Sequence, residues 1–170
     1  MGNPNIRNLT LMALITSCFM QIGAQLFAIS VMVSTIAEAP PRSFAILEGQ
    51  YRYDSSPFWE TVPPITGLLY VVGLIVNWKT PRRALLLVSF GLFVTAGLVA
   101  GVLLEPEFAT ITAAGYSDKV DPALQSRAAR WLAYDWAVWA ISLAAGLSLL
   151  LALAGPLNPA VRKPGESGIR

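Results

Sequence analysis

Seven residues within a short stretch carry most of the chemical potential of this chain: Arg127, Arg130, Trp131, Tyr134, Asp135, Trp136 and Trp139. Arg127 stands one helical turn from Trp131, and Arg130 one turn from Tyr134, so guanidinium-on-ring contacts are geometrically natural. Trp131, Asp135 and Trp139 share a helical face. An aspartate beside tryptophans at a membrane surface loses part of its hydration, which favours its protonated form and suits it to proton transfer. Trp, Tyr and Arg are also the usual anchors of a helix at a membrane interface, so an anchoring reading stands beside the chemical one. Glu60, Glu105 and Glu107 fall at the ends of neighbouring apolar stretches and can join Asp135 around one vestibule. As proton-transfer groups the candidates are Asp135 and Glu60. Trp59, Trp131, Trp136 and Trp139 form a candidate stacking surface for a substrate, with Arg127, Arg130 and Glu105 at its rim. Carboxylates can hold a divalent cation through oxygen ligands, but no spacing here demands one, and neither a metal nor a cofactor is assigned.

The elements that position these residues follow from the charge map. Charged side chains are absent from residues 8–37, 61–78, 84–104 and 136–161, and about 20 apolar residues carry a helix across a bilayer. With 55% hydrophobic and 13% charged residues in 170, the spans and their connections use nearly the whole chain, leaving a single domain over 1–170. The reading is an all-α, integral membrane four-helix bundle with spans at about 9–36, 63–78, 83–104 and 134–157. Arg7, Lys79, Arg82, Arg83, Arg162, Lys163 and Arg170 face a lone acid, Glu166, in the terminal segments and the middle turn. The other two connections hold the remaining nine acids. Basic loops stay on the cytoplasmic side, so both termini are expected to be cytoplasmic and the two longer loops outside. The first apolar run is about twice the length of a signal-peptide core, so a retained anchor is expected.

Ser17, Gln21 and Gln25 recur every four residues in the first span, forming a polar stripe that should face the bundle interior. Two roles are open to it: interhelical hydrogen bonding, or a polar patch in a ligand cavity. The first outer loop, 38–62, is long and aromatic, with Phe44, Tyr51, Tyr53, Phe58 and Trp59. Pro63-Pro64 suits the first turn of helix two. Gly97 and Gly101 make a small-xxx-small pattern that lets another helix approach closely. Glu105-Pro106-Glu107 is expected to end helix three. Asp121-Pro122 supplies a cap and a first-turn proline for an extended fourth helix, whose projecting start should cover the outer end of the bundle.

Composition also excludes chemistry. The chain has no histidine, which removes histidine-ligated haem, histidine-rich diiron or copper oxygenase sites and Ser-His-Asp catalysis. Its one cysteine, Cys18, cannot form an intramolecular disulfide. A net charge of +2 gives no footprint for nucleic acid.

Arg127-Ala128-Ala129-Arg130-Trp131, followed by Tyr134-Asp135-Trp136 and preceded by Leu104-Glu105-Pro106-Glu107, resembles the entry to helix four in the anthrone-oxygenase-like membrane family. The layout of the whole chain is similar too: a long first outer loop, a short basic inner turn and a second outer link. The resemblance implies oxidation of lipophilic anthrones to anthraquinones by dioxygen, without metal or flavin. Two functions are therefore expected as alternatives. One is a binding or accessory protein of the cell membrane that holds a hydrophobic small molecule or serves a membrane complex, with a membrane-protein partner or a homo-oligomer. The other is a cofactor-independent, anthrone-oxygenase-like membrane enzyme.

Overall fold

The computed structural model describes residues 4–155. Arg162, Lys163, Glu166 and Arg170, together with positions 156–157 of the expected fourth span, lie outside them. Among the described residues the fold is all-helical, and four helices are long and apolar enough to cross a membrane: α1 (Pro4–Glu38), α2 (Ser56–Asn77), α3 (Arg83–Thr112) and α4 (Pro122–Ala154). Large apolar side chains cover the outside of the bundle, among them Leu68, Ile75, Leu98, Val102 and Leu151, all more than half exposed. Lipid, not water, is the solvent that accepts such a surface. The chain is a membrane protein.

Helix α1 packs on α2 and α4, and α3 packs on α4, while α2 and α3 touch more sparingly. The bundle has a basic end, with Arg7, Lys79 and Arg82, and an acidic end, with Glu38, Asp54, Glu105 and Asp121. Leu11, Leu14, Cys18, Tyr70, Leu86, Leu149 and Ala152 form the core toward the basic end. A directed chain of hydrogen bonds crosses all four helices there. The Cys18 thiol of α1 donates to Tyr70 Oη at 3.5 Å. Tyr70 Oη of α2 lies 2.7 Å from Ser89 Oγ of α3, and Ser89 Oγ donates to Ala145 O of α4 at 2.7 Å. Ser89 spends its only proton on the carbonyl, so Tyr70 donates to Ser89. In hydrocarbon such bonds replace water that is not there.

Arg82 closes the basic end. Only 5% exposed, it donates to Asn8 Oδ1 at 2.8 Å, to Leu153 O at 2.9 Å and to Gly155 O at 3.0 Å. A cation on the last carbonyls of α4 satisfies groups the helix itself cannot. Side chains of α1 press on α4 at Gly146, where an added Cβ would stand 2.8 Å from Ile22 Cδ1 and 3.2 Å from the Phe19 ring.

At the acidic end three expectations change. Helix α2 starts at Ser56, not at Pro63: Pro57 takes the first turn, and Pro63 and Pro64 lie inside the helix. Asp54 makes this early start possible, because its carboxylate accepts from Ser56 N at 2.9 Å. Bonds from the Ser56 hydroxyl and N–H, with Arg52 nearby, hold the Asp54 carboxyl below its ordinary pKa. A depressed carboxyl stabilises the fold above its unfolded pKa of about 3.9 and loses that contribution as pH falls through the folded value. Acidification below pH ~4 is therefore expected to fray the start of α2 first, read as lower amide-exchange protection factors at Ser56, Phe58 and Trp59, and Asp54→Asn should remove the pH dependence.

Helix α3 likewise does not end at Glu105. Proline 106 returns no N–H to the preceding turn, and the chain meets it with a wide π-helical turn over Ala100–Leu104, then continues helically over Glu105–Thr112. Helix α1 contains a matching π-turn at Ala28–Val33. The first loop is shorter than expected and structured. It holds a 3-10 turn at Arg42–Leu47, whose Phe44 is 1% exposed among Ile36, Ile111 and Ala128. Asp121 N donates to Pro40 O at 2.9 Å, Gln125 Nε2 to Glu38 O at 2.5 Å and Tyr116 N to Glu48 Oε1 at 2.8 Å. The extended start of α4 forms as expected, capped by Asp121 accepting from Ala123 N at 2.8 Å, and packs against this loop and the ends of α1 and α3.

Candidate functional site

Between the acidic end and mid-bundle lies a cavity of about 560 Å³, within the range of small-molecule sites. Its base is formed by Cys18, Gln21, Ile22, Phe93 and Ala145, and its sides by α1, α3 and α4. Tyr53, Asp54, Ser55, Trp59, Glu105, Phe108 and Trp131 surround the upper part.

The cavity exists because of what the helices lack. Ala96, Gly97, Ala100 and Gly101 give α3 a face of small residues along it. A Cβ added at Gly97 or Gly101 would meet nothing within 4 Å. The glycine pattern therefore leaves room here; it does not bring a helix close, as expected from the sequence. Both π-turns contribute to the wall, through Ala28, Met32 and Val33 in α1 and through Ala100, Gly101 and Leu104 in α3. Wide turns of this kind recur at functional sites because they redirect side chains without ending a helix.

The polar stripe of α1 divides its work. Ser17 Oγ lies 2.6 Å from Thr66 Oγ1 of α2, and Gln21 Nε2 donates to the same Thr66 oxygen. One turn further, Gln25 Nε2 donates to Asp135 Oδ1 of α4 at 2.9 Å. Gln21, Gln25 and Asp135 all line the cavity, so the stripe both bonds helices together and adds polar groups to an apolar chamber. Asp135 is 9% exposed.

Trp131 is fixed twice. Its indole N–H donates to Leu104 O at 2.7 Å, at the end of the α3 π-turn, and its ring lies 5.0 Å from that of Phe108. Trp59 meets Phe58 edge-on at 5.0 Å. Of the candidates from the sequence, Trp59, Glu105, Trp131 and Asp135 line the cavity. Glu60, Arg127, Arg130, Trp136 and Trp139 do not. Arg127 is held by a two-pronged ion pair with Glu107, which replaces the expected stacking on Trp131; a carboxylate matches the guanidinium fork better than a ring face does. Trp139 turns toward α1, where its N–H donates to Ile22 O at 3.2 Å, and Trp136 meets it edge-on at 5.6 Å. Glu60 is exposed.

Sequence reasoning did not single out Phe93, Phe108, Met32 or Ser142. Val138 and Ser142 stand three and seven residues after Asp135, so helical periodicity contained that part of the signal. Among the described residues no group of three or more His, Cys, Asp or Glu side chains could hold a metal ion. No protein-family model, curated protein or solved structure matches the chain.

Proposed function

We propose that this chain is a multi-pass cell-membrane protein with both termini cytoplasmic, which holds a hydrophobic small molecule in the cavity between α1, α3 and α4. The observation that carries this reading is the cavity itself: apolar on most of its wall, aromatic in its upper part, and left open by small residues where larger ones would fit. Under this reading Gln21, Gln25 and Asp135 orient the guest, and Trp59 and Trp131 lie against it. The basic residues Arg7, Lys79, Arg82 and Arg83 support the orientation; a C-terminal reporter found outside the cell would overturn it.

The cavity reading is tested by filling the space. Titration of the purified chain with a short-chain naphthoquinone, followed by tryptophan quenching, is expected to saturate at one site. Gly97→Leu with Gly101→Leu should weaken that binding at least tenfold while the helices stay folded, because neither added side chain meets a neighbour at its Cβ. Equal, unsaturable quenching in both proteins would count against the site.

One observation favours a second reading. Asp135 places a carboxyl in the wall of an apolar chamber, where a proton acceptor for an enzyme acting on a lipophilic aromatic substrate would stand. The resemblance to anthrone-oxygenase-like proteins supports the same reading.

A further inference from the structure

A second concavity lies at the opposite end of the molecule and is separate from the chamber. It is a groove of about 580 Å³ on the outer side of α2, and Arg7, Val71, Leu74, Ile75, Trp78 and Lys79 line it. Its walls and its head differ sharply. Val71, Ile75 and Trp78 recur at helical spacing on one face of α2 and are 47%, 70% and 50% exposed. From Val71 to Lys79 this apolar run is about 12 Å long at 1.5 Å per residue, enough to lie along much of one acyl chain. At the head stand two cations, Arg7 and Lys79.

The positive charge here has no local partner. The nine acids among the described residues belong to the other half of the molecule, and the one ion pair among those residues, Arg127 with Glu107, is also there. Arg82 spends its donors on neutral oxygens of Asn8, Leu153 and Gly155, so its charge stays uncompensated behind the groove. Arg83 lies over the Trp78 ring, 5.3 Å from its centroid, and adds positive potential at the rim. Arg7 Nε is buried and has no hydrogen-bond acceptor among the described residues.

A buried donor without an acceptor is costly, and a phosphodiester supplies acceptors together with the missing negative charge. We infer that the groove at the basic end is a binding site for one anionic phospholipid, its phosphate held between Arg7 and Lys79 and one acyl chain laid along Val71, Ile75 and Trp78. The chain's own residues beyond Gly155 are a poor alternative occupant, since Arg162, Lys163 and Arg170 outnumber Glu166 and would be repelled.

The test is native mass spectrometry of the full chain from mixed micelles containing equal phosphatidylglycerol and phosphatidylcholine. One phosphatidylglycerol per chain is expected to be retained in preference to phosphatidylcholine. Two basic side chains at a membrane surface give a preference of roughly thirtyfold. Arg7→Gln with Lys79→Gln should abolish that preference, and Ile75→Gln, at an exposed position, should lower the amount of lipid retained while the preference stays, because both lipids share the acyl contact. Arg52→Gln with Lys119→Gln, at the acidic end, should leave it unchanged. Equal retention of the two lipids by the unaltered chain would overturn the site. So would an equal loss from the acidic-end pair, which would mean diffuse attraction. Retention that Ile75→Gln leaves unchanged and inorganic phosphate displaces would mean an anion site that makes no use of the acyl chain, and would equally overturn it.

Discussion

Tyr70→Ala is expected to destabilise the bundle by about 3–5 kcal/mol, the usual cost of deleting a buried aromatic ring. Tyr70 is fully buried, and its ring lies 5.4 Å from Phe90 and 5.0 Å from Phe93. Helices in lipid gain little from the hydrophobic effect on association and depend on close packing, so a void at this point loses dispersion contacts that nothing restores. The same change strands the Cys18 thiol and breaks the link through Ser89. Tyr70→Phe separates the two contributions: it keeps the ring and loses the hydroxyl, and should cost about 1–2 kcal/mol. Unfolding in mixed micelles by a denaturing detergent, followed by circular dichroism, measures both. A Tyr70→Ala protein as stable as the unaltered chain would show that the four-helix junction is not a centre of stability. Phe93 also forms part of the cavity base, so Tyr70→Ala should enlarge that chamber.

Asp135→Asn tests the enzyme reading. Proton transfer by a positioned side chain contributes about 10²–10⁴-fold to rate, so oxygen uptake with a lipophilic anthrone should fall by that factor. Oxidation of the anthrone methylene to a carbonyl consumes one dioxygen and releases one water, and on the enzyme reading it begins with transfer of a methylene proton to Asp135. The substitution should leave the bundle intact, because the asparagine carbonyl can still accept from Gln25 Nε2, whose bond to Asp135 is 2.9 Å. Unchanged uptake would remove Asp135 from any catalytic role. Tight binding of lipophilic ligands with no uptake in either protein would leave the binding reading standing.

The spans were legible because hydrocarbon tolerates charge poorly, and Arg7, Glu38, Lys79 and Arg83 mark their edges in the bare sequence. The stripe of Ser17, Gln21 and Gln25 was legible for the same reason, since an amide at that depth needs a partner. Glycine was not. Gly97 and Gly101 follow the pattern that brings helices together, yet it is at Gly146, spaced four residues from Ser142, that a neighbouring helix takes up the room, with Ile22 Cδ1 of α1 2.8 Å from where a Cβ would stand. A glycine only permits approach, and whether a neighbour uses the space depends on packing that no local pattern records. The proline at 106 misled in a related way. It forbids one hydrogen bond, which a wide turn absorbs as readily as a helix end does. At the site, Trp131 and Asp135 were visible as a polar and aromatic pair on one face, whereas Arg127 found a carboxylate that lies far off in sequence.

The two wide turns have a consequence for alignment and for engineering. A π-turn carries one residue more than the α-turn it replaces, so each shifts the phase of everything beyond it by about 100°. In α1 this means that Ile36 and Ala37 face Phe44 and Ala128 in a register set by Ala28–Val33. Deleting one residue there would restore a regular helix and turn those side chains out of the cluster while leaving hydropathy almost unchanged. In this protein the length of a span, counted in single residues, is itself part of the shape of the chamber.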